Sequence, residues 1–416
     1  MVELVAGTAI NIKQLDFDRF LTGKNFYQNS TTVRVDYKST KERERFEGKF
    51  SVNVGAQTIT GTANLWKLSN YKTGELRFRF TGSKLLSASA VIAAAKTDRL
   101  SDDHAIIRKM LAGNDSLTGS KFDDVLYGYD GNDQFRGRSG FDKFDGGAGS
   151  DRANYDGSSN EITVTLNKEN WVSVTSNGVE LDRMRNVEGV AGGAGNDTLT
   201  GDKLANKFIG NGGNDTLTGG GGNDTLSGGN GNDSIIAGAG NDSVSGGYGN
   251  DIVLAGSGSD TVKGGNDNDV LLGGTGNDSL IGGQGVDLIQ GGPGRDTMTG
   301  GTEADTFRFV AAADSGVTAT TRDFITDFVH GVDKVDLSFI DAIGSTIGID
   351  DAFILDAKGT ANTAVAEGHI GWYKVNAAGT ANDRTFLRVN ADADAAIEMT
   401  IELKGLVKIG VIDLIL

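Results

Sequence analysis

The sequence predicts an all-β chain organised around stacked coils of very short strands, with a β-rich domain before them and a β-rich cap after them. Three observations carry that expectation. A nine-residue period runs without slip through two long stretches, Met110–Asn154 and Gly192–Arg308. One apolar residue recurs at position 8 of each unit, flanked by polar ones, which is a one-residue version of strand alternation. The chain has 63 Gly among its 416 residues but a single Pro, so turns are plentiful while collagen and Pro-rich linkers are excluded.

Residues 1–109 read as a β-rich domain. Val33/Val35/Tyr37, Phe46/Phe50/Val52/Val54, Ile59/Ala63/Leu65 and Leu76/Phe78/Phe80 alternate with polar positions. Two helices are expected after them, around Ser87–Lys96 and Ser101–Leu111. This region holds 18 Lys/Arg against 11 Asp/Glu, a net of +7 in a chain whose formal charge is −17. The remainder therefore carries −24. Outward-facing Arg34, Lys38, Arg45, Lys49, Arg77 and Arg79 suit an anionic polysaccharide or surface glycan, but a solvated sheet face, or a surface that docks on the acidic roll, is the favoured reading. Glu42, Glu44 and Glu47 lie in the alternating-charge segment KERERFE with no placeable carboxylate partner, and are read as solvated rather than catalytic.

Residues 110–154 form the first repeat block, in five units such as MLAGNDSLT and GYDGNDQFR. Residues 155–191, with ITVTL and WVSV, read as an inserted hairpin. Residues 192–308 form the second block of thirteen units, among them GNGGNDTLT, GGGGNDTLS and GGTGNDSLI. Positions 1, 2 and 4 are mostly Gly, as a tight turn with positive φ requires. Position 8 supplies Leu199, Leu217, Leu226, Ile235, Val244, Val253, Val262, Leu271, Leu280 and Ile289. Turn, strand, turn, strand makes a flattened coil of two units with these side chains inside, stacked at the ~4.8 Å strand spacing.

Position 6 is Asp in all units but one. The set is Asp115, Asp124, Asp133, Asp142, Asp151, Asp197, Asp215, Asp224, Asp233, Asp242, Asp251, Asp260, Asp269, Asp278, Asp287, Asp296 and Asp305, 17 in all. Without them the acidic and basic residues would balance at 39 each. Coil geometry lines these carboxylates up along each edge, and like charges stacked so closely oppose folding unless a cation lies between them. A hard divalent ion with six to eight oxygen ligands suits carboxylates plus turn carbonyls, so multiple Ca²⁺ ions are expected. Mg²⁺ prefers a strict, hydrated octahedron, and transition metals lack the His and Cys ligands they favour. Four departures are visible. Asn206 replaces Asp, so its edge should bind weakly or not at all. Asp267 replaces a turn Gly, Glu303 with Ala304 should break the last turn, and Met110–Leu111 opens the first block without glycines.

These units resemble the GGxGxDxUx nonapeptide of the RTX (repeats-in-toxin) family, which is similar over all 18 units. The resemblance implies a right-handed parallel β-roll in two blocks, with Ca²⁺ held in the turns. Residues 309–416 also look like the carboxyl-terminal domain of serralysin-type secreted metalloproteases, through TRDFITDFVHGVDKVDLSFIDA, HIGWYKVNAAGT and FLRVNADADAAIEMTIELKG. Asp392 and Asp394 are open between a calcium site and a polar loop. The closing Asp413-Leu414-Ile415-Leu416 resembles the uncleaved signal of type I export substrates. That resemblance implies a type I secretion apparatus as partner and an extracellular or cell-surface location. It fits the absence of Cys and of an amino-terminal signal.

Protease chemistry does not carry over. There is no H-E-x-x-H, and His104, His330 and His369 are scattered. No G-x-S-x-G elbow occurs, and zero Cys excludes thiol catalysis. The most apolar stretch, Ala88–Ala95, falls far short of a membrane span, and no nucleic-acid partner is expected of so acidic a body. The sequence thus points to a calcium-folded roll presenting its first domain for adhesion, matrix or host-surface interaction. A polysaccharide-modifying enzyme with an unrecognised head and a purely structural surface protein stay open beside it.

Overall fold

The structure is a computed structural model. It describes residues 113–119, 123–168 and 170–340 continuously, and then 354–355, 366, 369–375, 383–390, 397–405 and 407–416. Of the first 112 residues it describes only the strands at 3–5, 25–28, 32–38, 44–53, 58–67 and 77–79. The two expected helices and Asp392 and Asp394 lie outside the described residues. The chain divides into two compact units, Met1–Gly157 with Glu161–Ala191, and Ser158–Asn160 with Gly192–Leu416.

The second unit holds the thirteen-unit block as a parallel β-solenoid of two sheets. Each strand pairs with the one 18 residues further on, so alternate nonapeptides feed opposite sheets. Thr216–Gly221 pairs in parallel with Ser234–Ala239, through Leu217↔Ile235, Thr218↔Ile236 and Gly220↔Gly238. Lys207–Gly212 and Thr225–Asn230 do the same in the other sheet. Most strands are six residues long rather than the expected triplet, which Thr198–Thr200, Leu288–Gln290 and Thr306–Arg308 keep. Pairing extends through the Gly-Gly dipeptide because glycine's open φ/ψ range lets the backbone stay in the ladder while it begins to turn.

Position 8 forms the core as expected. Leu199, Leu217, Ile235, Val253, Val262, Leu271, Leu280 and Ile289 are fully buried between the sheets, and Leu226 and Val244 nearly so. Phe208, Met298 and Phe307 continue the same column. Burying one such side chain contributes roughly 1.5–3 kcal/mol, and the column repeats that gain with every coil. Position 1 lies on the same inner face, where only Gly or Ala fits, as at Ala237 and Ala255. At position 2, Gly256 has φ +113°, and a Cβ there would lie 2.0 Å from the carbonyl oxygen of Gly238. Glycine is therefore required twice at that point, by conformation and by the approach of the preceding coil.

Both sheets of this unit continue past the repeats. Thr306–Arg308 pairs in parallel with Lys334–Asp336, which in turn pairs with Leu414–Ile415. Thr297–Thr302 pairs with Phe324–Ile325, which pairs with Met399–Lys404. That last strand belongs to an antiparallel meander with Arg384–Asn390 and His369–Val375. Arg322 and Arg384 both reach Glu402, at 2.6 and 2.9 Å, while stacking over Phe386 and Phe324. The expected β-rich cap is present among the described residues.

In the first unit the five-unit block has the same two-sheet logic. Ser116–Thr118, Gln134–Arg136 and Arg152–Asn154 are successive parallel neighbours in one sheet, and Val125–Asp130 and Asp142–Ala148 in the other. Phe135 and Phe144 stack at 5.5 Å in its core. Ahead of it, Asn25–Gln28, Thr32–Lys38, Glu44–Asn53 and Thr58–Lys67 make an antiparallel four-stranded sheet, the last three where alternation predicts strands and the first where it does not. Glu3–Val5 joins Ser116–Thr118 in parallel and Arg77–Arg79 in antiparallel fashion.

The insert is more than the expected hairpin. Thr163–Thr165 and Val172–Ser176 do pair antiparallel. A third strand, Val179–Arg185, then lies parallel to Asp142–Ala148, in register Asp142↔Asp182 and Phe144↔Met184. Gly189–Ala191 likewise extends Arg152–Asn154. The insert thereby supplies the coil that a repeat would otherwise have formed.

Candidate metal centre

Each position-6 Asp follows a Gly-rich turn and immediately precedes a strand, which fixes its side chain at the edge of a coil. All 17 are at most 3% exposed. Their carboxylates form columns. Oδ1 of each accepts the backbone N–H of the Asp one coil earlier, as in Asp215 N–H to Asp233 at 2.7 Å and Asp233 N–H to Asp251 at 2.8 Å. One column of the second unit runs Asp197, Asp215, Asp233, Asp251, Asp269, Asp287, Asp305. The other starts at Asn206 and runs through Asp224, Asp242, Asp260, Asp278 and Asp296. Asn206 keeps its backbone place in the column, while its side-chain oxygen accepts the N–H of Asp202 at 2.9 Å.

The second carboxylate oxygen is the informative one. Oδ2 of Asp215, Asp224, Asp233, Asp242, Asp251, Asp260, Asp269, Asp278, Asp287 and Asp296 is buried and meets no hydrogen-bond donor of the protein. A buried ionised oxygen without a partner is costly, and a cation held by these atoms would relieve that cost. Backbone carbonyls converge beside them. The point where a Cβ of Gly210 would stand is 2.0 Å from Asp215 Oδ2 and 2.6 Å from the Gly228 carbonyl oxygen. At Gly282 the corresponding distances are 2.2 Å to Asp287 Oδ2 and 2.6 Å to the Gly300 oxygen. Position 1 must be small because these oxygens occupy the place of its side chain.

Electrostatics agree. Burial first, with neighbouring column carboxylates adding to it against the opposing amide hydrogen bonds, pushes the carboxyls of Asp215, Asp251, Asp269 and Asp305 up to about 7. Among the described residues no three His, Asp or Glu side chains converge as a self-contained metal cluster. A cation here has to draw on carboxylates of successive coils together with turn carbonyls. Such an all-oxygen, flexible ligand set suits Ca²⁺.

The columns do not stop where the repeats stop. Asp296 N–H donates to Asp323 Oδ1 at 2.8 Å, and Asp305 N–H to Asp333 Oδ1 at 3.1 Å. Asp323 is fully buried, its Oδ2 lacks a donor, and burial pushes its carboxyl up to about 9, with Asp296 adding to the shift. In the first unit Asp142 N–H reaches Asp182 Oδ1 at 2.8 Å, and Asp151 N–H reaches Glu188 Oε2 at 3.0 Å. There the outer oxygens are met by protein groups. Tyr155 OH donates to Asp182 Oδ2 at 2.8 Å, and Lys168 Nζ lies 3.6 Å from Glu188. Position-6 spacing misses all four of these acids, which sit 27, 28, 40 and 37 residues from their partners instead of 18.

Position 5 carries a second, oppositely directed ladder. Asn214 Oδ1 accepts the N–H of Asn232, and Asn232 Oδ1 that of Asn250, each at 2.8 Å. The recurrence of Asn before the Asp is the signal that marks it. The expected break at the last turn is absent. Glu303 adopts φ +73° and accepts the Gly285 N–H at 2.8 Å, and Asp267 adopts the same φ and accepts that of Gly249 at 3.2 Å. A carboxylate that hydrogen-bonds to the coil before it lets each residue hold a turn normally given to glycine.

Comparison with known proteins agrees with the repeat geometry. A family model described as RTX calcium-binding nonapeptide repeat (4 copies) matches residues 111–144, 130–160, 190–203, 209–244, 245–280 and 272–307. No curated protein sequence matches the chain. Among solved structures, the AlgE6R3 subunit of the Azotobacter vinelandii mannuronan C5-epimerase is 29% identical, covering 36% of this chain and 73% of that one, with a TM-score of 0.25. The AlgE6R2 subunit of the same enzyme is 29% identical over 36% of this chain and 89% of that one, with a TM-score of 0.24. The extracellular lipase LipA from Serratia marcescens is 15% identical over 73% of this chain and 38% of that one, with a TM-score of 0.17. The periodic core, the carboxylate columns and the matched segments together establish that the chain carries an RTX calcium-binding nonapeptide array, a β-roll that binds multiple Ca²⁺ ions.

Proposed function

We propose that this is a secreted protein whose roll folds on meeting extracellular Ca²⁺ and thereby presents residues 1–109 for adhesion, matrix or host-surface interaction. The observation that supports it is the row of buried Oδ2 atoms with no protein donor, from Asp215 to Asp296. The 17 position-6 Asp residues supply the side-chain ligands, joined by Asp323 at the end of one column. Extracellular calcium modules bind at roughly 10⁻⁴–10⁻³ M. In calcium-poor cytosol the columns repel and the chain stays extended and transportable; outside, binding and folding are one event. The charge contrast between the basic first 109 residues and the acidic remainder favours an anionic glycan as partner of the head. Export through a type I apparatus rests on the likeness of the carboxyl-terminal region, ending Asp413-Leu414-Ile415-Leu416, to substrates of that pathway.

Circular dichroism and tryptophan fluorescence of the full chain, in excess chelator and then with added calcium, test the folding step. Native β signal already present in chelator would refute it. A glycan array probed with the calcium-loaded protein tests the head. Binding without turnover supports adhesion, whereas product release from an acidic polysaccharide would identify an enzyme instead.

A further inference from the structure

The two edges of the roll in the second unit are not equivalent. Seven non-glycine residues among those described have positive φ, and only two are acidic, Asp267 and Glu303. Both stand at position 4 of their units, where the turns of Gly213, Gly231, Gly249 and Gly285 use glycine in the same region of φ. That backbone conformation is unfavourable for any residue with a Cβ. Both also fall on one edge, 36 residues or two coils apart, beside the column that runs through Asp251, Asp269, Asp287 and Asp305. The opposite edge carries Gly240, Gly258, Gly276 and Gly294 at the matching turns, and its column begins at a neutral Asn206.

The carboxylates are held rather than free. Glu303 Oε2 accepts the Gly285 N–H at 2.8 Å, and the Thr302 hydroxyl also donates to it. Asp267 Oδ2 accepts the Gly249 N–H at 3.2 Å, an amide shared with the Asn266 carbonyl at 3.3 Å. Elsewhere the position-4 amide has only that carbonyl, as in Gly231 to Tyr248 and Gly258 to Thr275. Each acid therefore places a fixed negative charge within electrostatic reach of the column. Asp267 is held on the amide two residues before Asp251 and itself stands two residues before Asp269, and Glu303 is held on the amide two residues before Asp287 and stands two before Asp305. Calcium affinity in oxygen sites rises with the number of charges around the ion.

We infer that Asp267 and Glu303 are affinity-setting residues that make the calcium sites beside them, on the Asp251–Asp305 edge, tighter than a glycine at the same turn would. This rests on the calcium-folding reading above. At position 4 of the second block that backbone strain is accepted twice, both times for a carboxylate and both times on one edge, as a selected charge would be. A residue serving only to satisfy the amide would need no charge. The two roles differ in what an isosteric neutral replacement does.

The test is a calcium chloride titration of the full chain, comparing wild type with Asp267→Asn/Glu303→Gln and with Asp267→Gly/Glu303→Gly. Folding of the second unit is followed by Trp372 fluorescence, with Trp66 and Trp171 replaced by Phe in every protein compared, and calcium affinity by calorimetry. Both variants are expected to raise the calcium midpoint, on the order of threefold for each charge removed at low salt, and less at high salt. The glycine pair adopts the turn used by the other coils, so it separates loss of charge from failure to fold. An unchanged or lowered midpoint in the amide variant, with wild type still folding on calcium, overturns the inference. If wild type ignores calcium altogether, the folding reading fails first and takes this one with it.

Discussion

The backbone N–H of Asp296 donates to Oδ1 of Asp323 at 2.8 Å across 27 residues, in a column whose earlier steps are all 18. Asp323 lies beyond the last repeat, so the post-repeat segment completes the edge rather than merely covering it. Asp323→Ala removes the acceptor of a buried amide and should cost about 1–3 kcal/mol in calcium. Asp323→Asn keeps an acceptor but loses the charge. It should stabilise the chain in chelator at neutral pH and blunt its response to calcium. Thermal melts by circular dichroism in both conditions separate the two, and identical behaviour would discount a ligand role.

The core column makes a plainer prediction. Leu271 is fully buried with Val253 and Ile289 as its strand neighbours. Leu271→Ala should cost about 2–5 kcal/mol, since flanking coils are too rigid to fill the gap. Thr261, exposed on the outer face, should tolerate Ala within about 0.5 kcal/mol. Urea unfolding in excess calcium measures both.

Stability without calcium should rise on acidification. Asp215, Asp251, Asp269, Asp296 and Asp305 have carboxyls raised by burial from 3.8 to about 7. A folded-state pKa above the unfolded value means that the fold binds the proton more tightly. Its contribution is complete below pH ~4 and is lost as pH climbs through about 7. In chelator, β structure should therefore appear on lowering the pH from 7.5 toward 5. With calcium present, protons compete for the same oxygens, and the calcium midpoint should move upward over that range. A chelated protein equally unfolded at both pH values would contradict this.

In the insert, Tyr155 OH and Lys168 Nζ take the place of a cation beside Asp182 and Glu188. Tyr155→Phe leaves Asp182 Oδ2 without that donor and should destabilise the first unit by about 1–3 kcal/mol. Trp171, stacked against Arg185 at 4.8 Å, reports on it once Trp66 and Trp372 are replaced by Phe. Loss at Trp171 that calcium fully restores would show that an ion can substitute for the phenol.

What was legible in the sequence was whatever repeated. Leu217 and Asp215 could be placed because Ile235 and Asp233 say the same thing 18 residues later. Asp182, Glu188, Asp323 and Asp333 could not, because each reaches its column only after a detour of irregular length. The detour is a tertiary fact, invisible to a periodic scan. Strand length was also misjudged. Thr225–Asn230 continues through glycines that composition assigns to the turn, because a parallel neighbour on each side supplies the hydrogen bonds that glycine's own propensity does not. Glu303 shows the converse error, since its carboxylate replaces the interaction that its backbone conformation would otherwise lack.

The two ladders give the roll a parity. Position-6 Asp takes an amide from the coil before, and position-5 Asn takes one from the coil after, so every inner coil is tied to both neighbours. Successive nonapeptides alternate between sheets, which makes nine residues half a step. Excising 246–254 would send every later strand to the wrong sheet and set Asp267 and Glu303 on the other edge. Excising 246–263 would only shorten the roll. Length in such a chain is free to drift, but only in even numbers.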